Sequence, residues 1–191
     1  MASTVDKDSA NWRLFGGGGL LVGGLIWLVG EILNYAGLGS IGAWLAAIGA
    51  IIVGVALFFV AFGQTGSNGA VGASLLGKVS LIVFGVGWVL IGVVWALASA
   101  GVPLAVASTL VNVGVVLVVV GSIASAIAIY QRGVARGAAR WVLFVTAAWG
   151  VLYALASFGL LSFAGLWIIT VLAALYAITG LLYLLNRKDV G

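Results

Sequence analysis

Six apolar runs, each long enough to cross a bilayer, are separated by five breaks that alternate in character. The runs cover approximately residues 14–36, 41–62, 79–100, 104–130, 141–158 and 160–185. The hydrocarbon core is about 30 Å thick, so roughly 20 apolar residues make a spanning helix. Three breaks are short and uncharged: Gly37-Leu38-Gly39-Ser40, Gly101-Val102-Pro103 and Gly159-Leu160. Such links force consecutive helices into antiparallel hairpins. Pro103, the single proline, suits a helix start because its missing donor is not needed there. The other two breaks, 64–78 and 131–140, are longer and polar. The pattern predicts an all-α polytopic membrane protein, with six transmembrane helices as three antiparallel hairpins. The hairpins fall at about 13–63, 78–131 and 140–185. The six-helix domain spans 13–187, between a polar segment 1–12 and a short tail 188–191.

The basic residues give this layout a direction. Lys7 and Arg13 precede the first run, Lys78 the third, Arg132, Arg136 and Arg140 lie between the fourth and fifth, and Arg187 and Lys188 follow the sixth. All eight fall on the side of the polar breaks. Positively charged loops stay cytosolic, so both termini and both polar loops are expected in the cytosol. Trp12 and Trp141 then fall at the inner boundary, with Trp44 and Trp167 near the outer one. The first run is too long for a signal peptide and lacks a clearly basic segment before it, which makes it a retained first helix.

The hairpins carry signs of one repeated unit. Trp27, Trp88 and Trp149 recur every 61 residues, and Gly24 matches Gly85 in the same register. A second register aligns Glu31-Ile-Leu-Asn-Tyr-Ala-Gly37 with Trp95-Ala-Leu-Ala-Ser-Ala-Gly101 and Tyr153-Ala-Leu-Ala-Ser-Phe-Gly159. In the even helices, Gly54 and Gln64 recur at the spacing of Gly121 and Gln131, with Gly180 a looser third member. Small residues let helices approach closely where lipid offers little hydrophobic drive for association. Gly19 with Gly23, and the ladder Ala46, Ala50, Gly54, are expected contact faces.

Composition narrows the chemistry. The chain is 64% hydrophobic and 6% charged, with a mean hydropathy of +1.34. A soluble domain carries about 25% charged residues. It has no cysteine and no histidine, so disulfides, thiolate ligands, imidazole ligands and the usual neutral-pH base are excluded. The net charge of +4 sits in membrane-flanking segments, which makes it a topology signal rather than a nucleic-acid footprint. At four-residue spacing Arg132, Arg136 and Arg140 would align on one helical face, where contact with anionic headgroups is expected. The run Gly16-Gly17-Gly18-Gly19 lacks the Lys-Ser/Thr of a phosphate loop. Ser80 and Lys78 are two residues apart and face different ways on a helix. Neither catalysis nor a cofactor or metal site is expected.

Two polar groupings remain. Glu31 is the one ionisable acid or base inside a predicted span. A charge there costs about 2.5 kcal/mol or more, so such residues usually face the protein interior. Asn34 and Tyr35, three and four residues on, are its expected partners. Glu31 is either a proton-responsive carboxylate or a structural group held by these neighbours. Ser108, Thr109 and Asn112 in the fourth helix either line a polar path with Thr170 or Thr179, or bond between helices as packing contacts.

The segment Ala-Gly-Val-Pro-Leu-Ala-Val-Ala-Ser-Thr-Leu-Val-Asn-Val-Gly, residues 100–114, is similar to the outer turn and following helix of the HdeD-type acid-resistance membrane proteins of bacteria. The six helices, two-helix units and basic loops resemble that family in layout. The resemblance implies a non-enzymatic inner-membrane protein linked to survival of acid or other stress. Its partners would be the lipid bilayer and either further copies of the chain or another membrane protein. The rival classes are a small channel or transporter for protons or a small neutral solute, and an accessory subunit of a membrane complex.

Overall fold

The computed structural model describes residues 12–62, 69–103, 105–132, 135, 137–161 and 165–185. Among these the chain forms six helices and no strand: α1 (Trp12–Tyr35), α2 (Gly39–Phe62), α3 (Leu75–Ser99), α4 (Ala107–Arg132), α5 (Ala138–Ser157) and α6 (Gly165–Leu185). Each contains a stretch long and apolar enough to cross a membrane. The first turns of α1, Trp12–Gly17, are π-helical.

α1, α3 and α5 end in the same way. Gly37, Gly101 and Gly159 adopt φ of 83°, 75° and 74°, and the next amide bonds back to Leu33, Leu97 and Leu155 at 3.0, 3.0 and 2.8 Å. This is the Schellman termination, in which a left-handed glycine lets the chain satisfy the last carbonyls of a helix. The glycines come from the second register noted above, so that alignment marks one stop signal used three times. The 61-residue register is less uniform. Trp27 and Trp88 are fully buried, whereas Trp149 is half-buried and donates to the Ile168 carbonyl at 2.8 Å.

Helix starts differ from the sequence expectation, three of them in ways that bear on the turns. α3 begins at Leu75 rather than Val79, because the Ser74 hydroxyl accepts from the Gly77 amide and caps the helix. α4 begins at Ala107, leaving Pro103 in the turn rather than at the helix start. α6 is described from Gly165, and Leu160, expected to open this span, instead gives its amide to the α5 termination.

The six helices form a closed ring: each packs on its sequence neighbours, and α6 packs on α1. The seam shows why small residues matter. A Cβ on Gly180 would meet the backbone of Leu21 and Gly17, and one on Gly24 would meet the backbone of Ala177. The expected ladders behave likewise, with Gly19 against Ala56, Gly23 against Val53, and Gly54 against Gly85. The glycine run of α1 also serves packing, since Gly16 lies on Val60 and Gly17 beside Tyr183.

Outward faces are large and apolar. On α1, Val22, Leu25, Val29 and Ile32 are exposed, while Leu20, Trp27, Gly30 and Glu31 are buried. An apolar surface on all sides of an apolar interior is that of a protein dissolved in lipid. Arg13, Lys78, Arg132 and Arg140 lie at one end of the ring and the glycine turns at the other. At the basic end Ala70 and Val71 are fully buried, tying the α2–α3 connection back onto the bundle through Ala70 N–H to the Val60 carbonyl at 2.8 Å. Arg140 bonds the Tyr130 carbonyl at the end of α4. Trp141, Trp44 and Trp167 are exposed, but Trp12 is buried edge-on to Tyr183. Lys7, Arg136, Arg187 and Lys188 lie outside the described residues.

Candidate functional site

The interior of the ring is filled by aromatic side chains. Trp27 of α1 meets Trp88 of α3 edge-on with centroids 4.6 Å apart, stacks on Tyr176 of α6 at 6.0 Å, and meets Trp95 of α3 at 5.8 Å. Tyr153 of α5 stacks on Trp88 at 6.0 Å. Apart from Trp27–Tyr176, which joins the neighbours α1 and α6, these contacts bridge helices that are not adjacent in the ring. Trp88 donates its indole N–H to the Tyr176 hydroxyl at 2.6 Å, which satisfies a donor that lipid and protein interior would otherwise leave bare.

Glu31 lies against this cluster, about one turn before the end of α1, and is 4% exposed. The Trp27 indole N–H donates to its Oε1 at 3.1 Å, and the Asn34 side chain lines the same pocket as the carboxylate. Of the partners expected from sequence, Asn34 is therefore in place. Tyr35 is not: it is exposed, accepts a hydrogen bond from Thr170 at 3.4 Å, and packs on Trp167. Trp27 was the missed partner. Its signal was the four-residue spacing toward the helix N-terminus, the direction in which helical side chains lean.

The carboxylate and Asn34 line a pocket of about 360 Å³ with Ala43 and Ala46 of α2, Trp95, Ala98 and Ser99 of α3, and Ile169 of α6. The pocket sits at the glycine-turn end, inside the ring. Its walls are apolar apart from Glu31, Asn34 and Ser99, and the Ser99 hydroxyl donates to the Trp95 carbonyl. No lining residue is basic. The described cations begin α1, α3 and α5 or end α4, at the opposite end of the helices. Among the described residues, a carboxylate so placed is held by neutral donors alone.

The second grouping lies elsewhere. Ser108, Thr109 and Asn112 are exposed on the outside of α4, where Thr109 and Asn112 line a shallow groove with Phe158. Thr170 bonds Tyr35, while Thr179 is buried and pairs with Thr146 at 3.2 Å. The structure thus divides these residues among three places. α4 turns Gly114, Val115, Val118, Gly121, Ser122 and Ser125 inward instead. Ser125 donates to Gly121 and meets Ser80 of α3 at 3.2 Å, a pairing with no distinct sequence signal.

Among the described residues no three His, Cys, Asp or Glu side chains come together as a metal site would need. The chain is a multi-pass membrane protein with one buried acid under a pocket. Comparison with protein-family models, with curated proteins and with solved structures returns no match.

Proposed function

We propose that this chain is a non-enzymatic bacterial inner-membrane protein of the HdeD type, serving survival of acid stress and responding to external acidity through Glu31. The observation that carries this reading is the Glu31 carboxylate, buried under a pocket whose described lining offers it only neutral donors. The positive-inside rule puts the basic end in the cytosol and the pocket on the outer side. Protonation there turns an acceptor-only group into one that also donates. Its first effect falls on Trp27, whose ring stacks on Tyr176 and abuts Trp88.

Few titratable groups face Glu31 to complicate its response. On α1, Tyr35 is turned outward; α2 offers Ala43 and Ala46, α3 offers Trp95 and Ser99, and α6 offers Ile169. α5 supplies the Tyr153 phenol, stacked on Trp88 beside Trp27. The aromatic filling of the ring favours this reading over a channel or carrier, which needs a polar lumen or broken spans.

The test is acid survival of a strain lacking the protein, complemented with the native chain or Glu31→Gln at equal membrane levels. Survival restored by the native chain alone is the expected result. Restoration by both makes Glu31 structural and ends the pH-sensing role. Unimpaired survival of the deletion strain removes the stress role altogether.

A further inference from the structure

We infer that the Glu31 pocket binds a small alkylammonium ion. This deepens the reading above and rests on the same site. A buried carboxylate with no cationic partner is costly, and a ligand carrying one positive charge relieves that cost. Trp27 occupies one lone pair of Oε1, and a carboxylate offers about four acceptor sites, so the group retains capacity for a ligand alongside Trp27 and Asn34.

The walls select the kind of cation. Trp95 lines the pocket together with Ala43, Ala46, Ala98 and Ile169. A ring face attracts a cation within about 6 Å, and indole does so best. Small apolar side chains suit the alkyl groups of an organic cation and give nothing to a hydrated metal ion. A calcium-type ion takes about six to eight oxygens, whereas this pocket holds one carboxylate, one amide and one hydroxyl. The volume of about 360 Å³ falls in the range of small-ligand sites. An anion would meet the carboxylate, and a neutral solute would leave it uncompensated.

The experiment uses the full chain purified in an uncharged detergent at neutral pH. Tetramethylammonium chloride is titrated while tryptophan fluorescence is followed, with sodium chloride as the ionic-strength control and neopentyl alcohol as the neutral probe of similar shape. Saturable binding of tetramethylammonium alone is expected, weakened about tenfold or more by Glu31→Gln and several-fold by Trp95→Leu. If Glu31→Gln does not fold, acidifying the native protein removes the charge instead, and binding must fall with pH. Equal response to the neutral probe, or binding unchanged by loss of the Glu31 charge, overturns the inference. A pH-dependent fluorescence change without ammonium binding also overturns it, while leaving the pH-sensing reading intact. Absence of both effects removes the two together.

Discussion

Trp27 donates its indole N–H to Glu31 at 3.1 Å across one turn of α1, so the only acid inside a span is tied to the aromatic filling of the ring. Replacing Trp27 with Phe keeps most of the ring packing and removes the donor. A hydrogen bond to a charged group is worth about 1.5–3 kcal/mol, and Trp27→Phe should lose stability of that order in unfolding at neutral pH. In a double-mutant cycle with Glu31→Gln, the two effects should fall short of additive. Full additivity would show that the two side chains do not interact.

The two buried phenols of α6 give a contrast. Tyr176 accepts from Trp88 at 2.6 Å, whereas the Tyr183 hydroxyl has no partner among the described residues. Tyr176→Phe strands the Trp88 N–H and should cost about 1–3 kcal/mol. Tyr183→Phe should be neutral or stabilising. The reverse order in thermal melts of the detergent-solubilised protein would contradict the hydrogen-bond assignment.

Glycines at two interfaces should also differ. Gly180→Ala places a methyl on the backbone of α1, and overpacking of this kind costs about 1–3 kcal/mol. Gly150 faces only the Ser122 hydroxyl, 3.9 Å from an added Cβ, so Gly150→Ala should be tolerated and gain from higher helix propensity, by up to about 1 kcal/mol. Equal losses in the two variants would deny the tight contact between α1 and α6.

The helix stops can be tested separately from packing. Gly101 and Gly39 each have open space where a Cβ would stand, but only Gly101 has positive φ. Gly101→Ala should cost about 1–2 kcal/mol, while Gly39→Ala should cost nothing. A neutral Gly101→Ala would mean that the turn relaxes to another conformation.

The sequence was most legible where polarity changes. Six spans, three short turns and the collection of basic residues at one end all follow from abrupt switches between apolar and polar residues. The inward face of each helix was harder to read, because lipid and protein interior are both apolar and size replaces polarity as the signal. On α1 the branched residues Val22, Val29 and Ile32 go outward, and Gly23, Gly24 and Gly30 go inward. That is why Asn112, a polar residue in an apolar helix, was grouped with interior residues and lies outside. Glu31 stood out by charge, yet only side-chain direction separates Trp27 from Tyr35 as its partner.

The seam between α1 and α6 sets a timetable for biosynthesis. The two helices are far apart in the chain and adjacent in the ring. At about 5–20 residues per second, the ribosome delivers α6 on the order of ten seconds after α1 has emerged. Through that interval the side of α1 that carries Gly17 and Gly24 lacks its α6 cover. The ring closes only when α6 reaches α1.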